Sequence, residues 1–227
     1  MASVEYTVVS IGTLSRNRLW GEVAALRTAH ATTTLVRDDK RLILADPSLP
    51  TAALRARLNE RTGLSLEDVT DVFCTTLRPV HRRSIEALPG AKWWACEREL
   101  QACREHLRGL ADSEHRLTGE QQTDIEADLK LLERIHPAPD KFSGQVHLYP
   151  LPGPSPGSAG LLLTPAAWTT IVAGDAVLTG EHLLRGQVWE ECYDTEAALR
   201  SIEDVLEIAD IIIPGHDNLM ISPRRWL

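Results

Sequence analysis

The sequence predicts a layered α/β domain (α+β in some schemes) on three observations. Short apolar runs bounded by Gly, Pro and Asp recur in both halves of the 227-residue chain, with helical spacing between them. The runs at 32–36 and 42–45 flank the polar tip Asp38-Asp39-Lys40, which is a hairpin signal. Val72-Phe73-Cys74 ends in Thr75-Thr76, and Ile211-Ile212-Ile213 ends in Pro214-Gly215-His216-Asp217. Strands that stop at such turns project side chains beyond the sheet edge, where chemistry is commonly placed.

In chain order, residues 6–11 read as a strand and 14–29 as a long loop that mixes charge with Trp20. Asp46-Pro47 ends the second strand of the hairpin. Leu54 and Leu58 predict a helix over 51–61 that stops at Gly63. Ser65-Leu66-Glu67-Asp68 is a short capped turn. Pro79 stands where a helix would begin, with Ile85 and Leu88 on its face and Pro89-Gly90 at its end. Residues 92–95 form a strand. Residues 97–141 are rich in Glu, Arg, Gln and Leu, and Ile125, Leu129, Leu132 and Ile135 recur at amphipathic-helix spacing. We read this span as a helical insertion or cap within a single domain covering 1–227, its two helices broken near 113–119. Pro137-Ala138-Pro139 marks its exit. Strand signals return at 146–151, 159–163 and 168–173, the first two joined by the rigid loop 152–157. Asp194 caps a helix whose apolar face is Ala198, Leu199, Ile202, Val205, Leu206 and Ala209.

Composition narrows the function classes. With 43% hydrophobic residues the chain buries a sizeable core. The formal net charge is −8 and basic residues form no long run, which argues against nucleic acid and anionic membrane as partners. A small-molecule ligand and a second copy of the chain remain. Residues 1–5 carry no basic segment leading into an apolar core, so no signal peptide is expected, and no apolar run reaches the ~18 residues of a membrane span. Cys74, Cys96, Cys103 and Cys192 lack C-x-x-C spacing, against a structural zinc site. On one helix, Cys96 and Cys103 would be separated by roughly 10 Å of rise, too far for a disulfide. A reduced, cytoplasmic protein is the expectation.

Residues 71–81, Asp71-Val-Phe-Cys-Thr-Thr-Leu-Arg-Pro-Val-His81, resemble the metal-binding signature of the metallo-β-lactamase superfamily, Thr-His-x-His-x-Asp-His. Thr75 matches its threonine and His81 its last histidine, while Thr76, Arg78 and Val80 stand at the other ligand positions. Three further segments resemble the family in the right order. The loop 151–157 looks like Thr-Pro-Gly-His-x-x-Gly with Pro154 in place of the histidine. Ala173-Gly174-Asp175-Ala176 looks like the Gly-Asp segment, placing Asp175 on the bridging carboxylate, and Ile213-Pro214-Gly215-His216 places His216 on the last ligand. The resemblance implies a four-layer αββα sandwich with the site at one edge, between the sheets.

It also implies a site largely dismantled. His81, Asp175 and His216 are residual metal ligands, and Thr76, Arg78, Val80 and Pro154 are losses. The site built from the first two histidines and the loop histidine has lost all three. The other lacks only its aspartate, so His81, Asp175 and His216 are a set for one Zn²⁺ or Fe²⁺ ion. Arg78 opposes even that, because a guanidinium is always charged. Two unit charges ~4 Å apart repel by about 4 kcal/mol at an effective dielectric of 20, and a divalent ion doubles this. The simplest arrangement has Arg78 replacing the metal and pairing with Asp175. Thr76, Arg78 and His182 are read as pocket residues, His182 as a substrate contact, a substitute ligand or a plain exposed histidine. Trp20 and Trp189 suit pocket walls and core packing equally. Gly153-Pro154-Ser155-Pro156-Gly157 matches the serine-hydrolase elbow literally. That elbow needs the N–H of the residue after the serine, and Pro156 has none.

Two expectations follow. One is a degenerate relative, without catalytic metal, serving a binding or regulatory role. The other is a mononuclear metal-dependent hydrolase of an ester, lactone or thioester, using His81, Asp175 and His216.

Overall fold

The computed structural model describes residues 3–112 and 117–226. Among these, the strands form two sheets. The first runs in the order β1 (Glu5–Ser10), β2 (Thr33–Asp38), β3 (Arg41–Ala45), β4 (Asp71–Cys74), β5 (Lys92–Ala95) and β6 (Ile135–Pro137). Its β1–β3 part is antiparallel and β3 to β6 are parallel. The second is ordered β11 (Met220–Ile221), β10 (Ile211–Pro214), β9 (Thr170–Gly174), β8 (Ala159–Leu163) and β7 (Val146–Pro150). Only its β9–β10 pair is parallel.

Alternation along the strands sorts the side chains into layers. Leu35, Leu44, Val72, Cys74 and Trp93 face outward into one core, under α1 (Thr51–Thr62), α2 (Glu97–Ala111) and α3 (Gly119–Glu133). Their neighbours Val36, Ile43, Ala45 and Phe73 face inward and meet Val146, Leu161, Leu163, Val172 and Ile213 of the other sheet. Ile171, Ala173 and Ile212 point out again, beneath α5 (Thr195–Ile208), with Ile202 and Val205 buried against them. Helix, sheet, sheet, helix is the resulting order, as the resemblance implied. Among the described residues no helix is long and apolar enough to cross a membrane.

Four local expectations are corrected. The helix expected after Pro79 is a series of turns with one 3-10 turn, Ile85–Ala87. Its backbone is used elsewhere: Ser84 N–H donates to Pro47 O at 2.9 Å, and the Arg82 guanidinium folds back onto Leu77 O at 2.7 Å. The 97–141 span is not helical throughout, because Ile135 lies in β6 opposite Trp93. The pair α2–α3 is therefore the crossover between β5 and β6, forming part of the outer helical layer. A three-residue strand is too short for its period of two to show in a sequence. The break between these helices falls partly at 113–116, outside the described residues. Leu199, placed on the apolar face of α5, is 38% exposed. A short helix, α4 (Gly180–Leu184), escaped the sequence reading, although Thr179 caps it by accepting from His182 N at 3.2 Å.

Candidate functional site

The C-terminal ends of β3, β4, β9 and β10 deliver Asp46, Thr75, Asp175 and His216 to one edge of the sandwich. Two glycines make that convergence possible. Gly174 has φ +55°, and a Cβ there would lie 2.4 Å from Thr75 Oγ1. A Cβ on Gly215 would lie 2.8 Å from Asp175 Oδ1. The strand ends thus approach more closely than any larger residue permits.

Asp175 is the centre of the site. Its Oδ1 lies 3.1 Å from His81 Nε2 and 3.2 Å from His216 Nε2. Its Oδ2 accepts from Arg78 Nη1 at 2.9 Å. Both histidines are tied at their outer nitrogens. His81 Nδ1 faces Asp46 Oδ2 at 3.0 Å, and His216 Nδ1 faces the carbonyls of His30 at 3.0 Å and Thr13 at 3.2 Å. Asp46 is itself held by Thr75, whose N–H and hydroxyl donate to its two oxygens at 2.9 and 2.7 Å.

The electrostatics follow from this geometry. Burial pulls the His81 imidazole down, but the Asp175 and Asp46 carboxylates outweigh it and raise it to about 10. Burial pushes Asp175 up, and His81 and His216 beside it hold it well below the usual carboxylate range. At neutral pH, His81 is an imidazolium between two carboxylates.

Arg78 occupies the opposite side of Asp175. Nη1 donates to that carboxylate, Nη2 donates to Pro154 O, and Cζ sits 3.9 Å from the centre of the Trp189 ring. The expected pairing of Arg78 with Asp175 is present. The cavity beside it has a volume of about 280 Å³ and is lined by Leu14, Arg78, Asp175, His182, Trp189 and His216, among others. Loop 14–29 closes one wall, where Arg16 pairs with Glu191 at 3.0 Å.

Other sequence-named residues lie elsewhere. Thr76 is wholly buried and turned to its own loop, its Oγ1 accepting from Arg78 N at 3.2 Å, so it does not line this cavity. Trp20 is exposed and donates to Glu181 at 2.6 Å, away from the cavity wall that Trp189 supplies. His182 is buried, with Nδ1 on Thr179 Oγ1 at 2.7 Å, and burial lowers its pKa. It lines the cavity but stands apart from the group His81, Asp175 and His216, whose ligand atoms lie within 4.8 Å of one another. Sequence reasoning missed Asp46, read only as a strand terminator, and Glu99, a buried carboxylate on α2.

The three-residue group has the donor set for one ion, with outer nitrogens tied as metal-bound histidines usually are. A second ion does not fit. Thr76 is turned away, Pro154 offers no side-chain donor, and the Arg78 guanidinium lies between Asp175 and the Pro154 carbonyl.

No protein-family model matches the sequence, and no curated protein matches it significantly. Solved structures do match. A Thermotoga maritima protein assigned provisionally as a metallo-β-lactamase aligns with 97% of this chain and 100% of its own, at a TM-score of 0.69 and 16% identity. The dizinc quorum-quenching lactonase AidC, bound to its product N-hexanoyl-L-homoserine, aligns over 84% of this chain and 74% of its own, with a TM-score of 0.65 and 16% identity. A mutant of AiiA from B. thuringiensis, with N-decanoyl-L-homoserine bound at its active site, gives 94% and 92% coverage, a TM-score of 0.63 and 18% identity. The fold is the metallo-β-lactamase fold.

Proposed function

We propose that this chain is a metallo-β-lactamase-fold binding protein in which Arg78 takes the place of the metal cluster. The observation that carries this reading is the guanidinium bridging the Asp175 carboxylate and the Pro154 carbonyl. The charges close without an ion: Asp46 and Asp175 oppose His81 and Arg78. A metal would have to displace the proton His81 presents to Asp175 and lie beside a fixed cation, at the repulsion estimated above. The ligand is a small molecule held beside Trp189 and His182, and the setting is the cytoplasm. Neither nucleic acid nor membrane suits the acidic chain, while self-association remains open to it. The test is elemental analysis of protein purified without added metal. Less than about a tenth of an equivalent of zinc or iron is the expected result. About one equivalent, removed by His216→Ala, would overturn the reading.

A second reading rests on a specific observation, the convergence of His81 Nε2, Asp175 Oδ1 and His216 Nε2. In a mononuclear hydrolase these three would hold one ion, whose chemistry is Lewis acidity and activation of water. Asp46 and the two backbone carbonyls would orient the rings. An ester, lactone or thioester is the substrate class, in keeping with the lactonases of like fold.

A further inference from the structure

We propose that the helical crossover α2–α3 is the positioning device for Arg78, acting through Glu99 and Asp128. Glu99, in the first turn of α2, is 4% exposed and has a donor from each of three residues. Its Oε1 accepts from Leu77 N at 2.9 Å. Its Oε2 accepts from Ser155 Oγ at 2.7 Å and from Gly157 N at 3.1 Å. One carboxylate thus ties the loop that carries Arg78 to the loop that carries Pro154, and those are the two ends of the Arg78–Pro154 hydrogen bond.

The second helix grips the same point from the other side. Asp128 on α3 pairs with Arg82 at 2.8 Å, and Arg82 Nε donates to Leu77 O at 2.7 Å. Both backbone groups of Leu77, the residue before Arg78, are therefore held by the crossover. Packing enforces the arrangement, since a Cβ on Gly157 would lie 2.1 Å from Glu99 N. A buried carboxylate is costly unless its oxygens are fully used, and these are used only to join the two loops. Without the clamp, the guanidinium has no fixed position between Asp175 and Pro154.

The inference does not depend on whether a metal binds, and its test is separate. Trp189 lies under the Arg78 guanidinium and reports on it. Its emission and acrylamide quenching are isolated by difference against a Trp189→Phe background. Glu99→Ala and Glu99→Gln should shift the Trp189 signal to that of Arg78→Ala, since a glutamine amide in either orientation sets its NH2 against at least one donor. Ser155→Ala, which removes one bond of the clamp, should shift it part of the way and covers the case in which Glu99→Ala does not fold. In an Arg78→Ala background, Glu99→Gln should leave the signal unchanged. A Glu99→Gln variant that melts earlier but keeps the parent Trp189 signal, or a shift that persists without Arg78, makes Glu99 merely structural and overturns the proposal.

Discussion

The two sides of Asp175 make an instructive comparison. On one side, His81 and His216 keep donor atoms aimed at a common point, with outer nitrogens anchored by Asp46 and by backbone carbonyls. On the other side, the same fold presents a buried threonine, a proline carbonyl and an arginine. What differs is side-chain charge. Where one side keeps neutral-capable ligands, the other supplies a permanent cation that satisfies Asp175. One set of strand ends thus holds both a group of converging ligand-type side chains and a salt-bridged network.

The largest expected effect comes from the pH dependence of the His81 side. In the metal-free protein, His81 titrates at about 10, against 6.5 for an ordinary histidine. The folded state holds that proton more tightly, so its stabilisation is complete below pH 6.5 and is lost progressively as pH rises to about 10. Asp175 acts in the opposite sense: its stabilisation is complete above the ordinary value of 3.8 and is lost only as pH falls toward its depressed value. Urea midpoints measured from about pH 6 to about pH 10 should therefore fall steadily, and His81→Gln should flatten the slope. Stability that rises with pH would mean that His81 is held neutral, as a ligand would be.

Next in size is Arg78→Ala. Breaking a buried pair costs about 3–5 kcal/mol, and the low end applies because His81 remains on Asp175. Guanidinium midpoints at neutral pH give the measurement. A variant that melts like its parent would place the compensating charge elsewhere. Zinc titration of the same variant sharpens the comparison, since removing the cation should raise affinity at the group His81, Asp175 and His216.

Smaller again is the difference between two ways of installing histidine and aspartate opposite His81 and His216, with and without a change at Thr76. Thr76→His introduces an imidazole at a position with no exposed surface, where overpacking costs about 1–3 kcal/mol. Arg78→His, Val80→Asp and Pro154→His together, leaving Thr76, should fold better than the set that includes it. Thermal melts of the two sets decide this. Equal stability would show that the loop moves to open a place for the ring.

How far the sequence revealed the site follows the same physics. The strand ends were legible because apolar runs stop at Thr75, Gly174 and Pro214, and those residues set backbone paths. The Arg78–Asp175 pair was legible because Arg78 is the one charged residue among Thr76, Arg78, Val80 and Pro154, the positions where the resemblance expects ligands. Glu99 and Asp46 were not. A buried carboxylate on a Glu-rich helix has the same local pattern as an exposed one, and what distinguishes Glu99 is contact with Leu77, Ser155 and Gly157 from other parts of the chain. Thr76 reads as a pocket residue because it stands where the resemblance expects a histidine, and strand alternation, which stops at the last residue of β4, gives no check on where a turn residue points. The missing helix after Pro79 has the same cause, since long-range bonds from Ser84 and Arg82 replace the helical ladder.

The smallest effect is expected at His182, and it separates two roles that the sequence left together. His182 is anchored through Nδ1 to Thr179 Oγ1 at 2.7 Å, and that oxygen also accepts from His182 N at 3.2 Å, so Nδ1 is engaged within α4 and its cap. Burial lowers the pKa of this ring and keeps it neutral, so it adds no charge beside Arg78. His182→Gln should cost no more than about 1 kcal/mol, the net value of one hydrogen bond. It should leave metal content at the parental level, while changing how a small ligand seats against Trp189. Side-by-side elemental analysis of His182→Gln and His216→Ala, each in the Arg78→Ala background where zinc affinity is raised, makes the measurement after zinc loading and dialysis. Zinc lost from the His216 variant alone fits a cavity wall at His182. Zinc lost from the His182 variant as well would make His182 a ligand, and would extend the candidate group of His81, Asp175 and His216 across to α4.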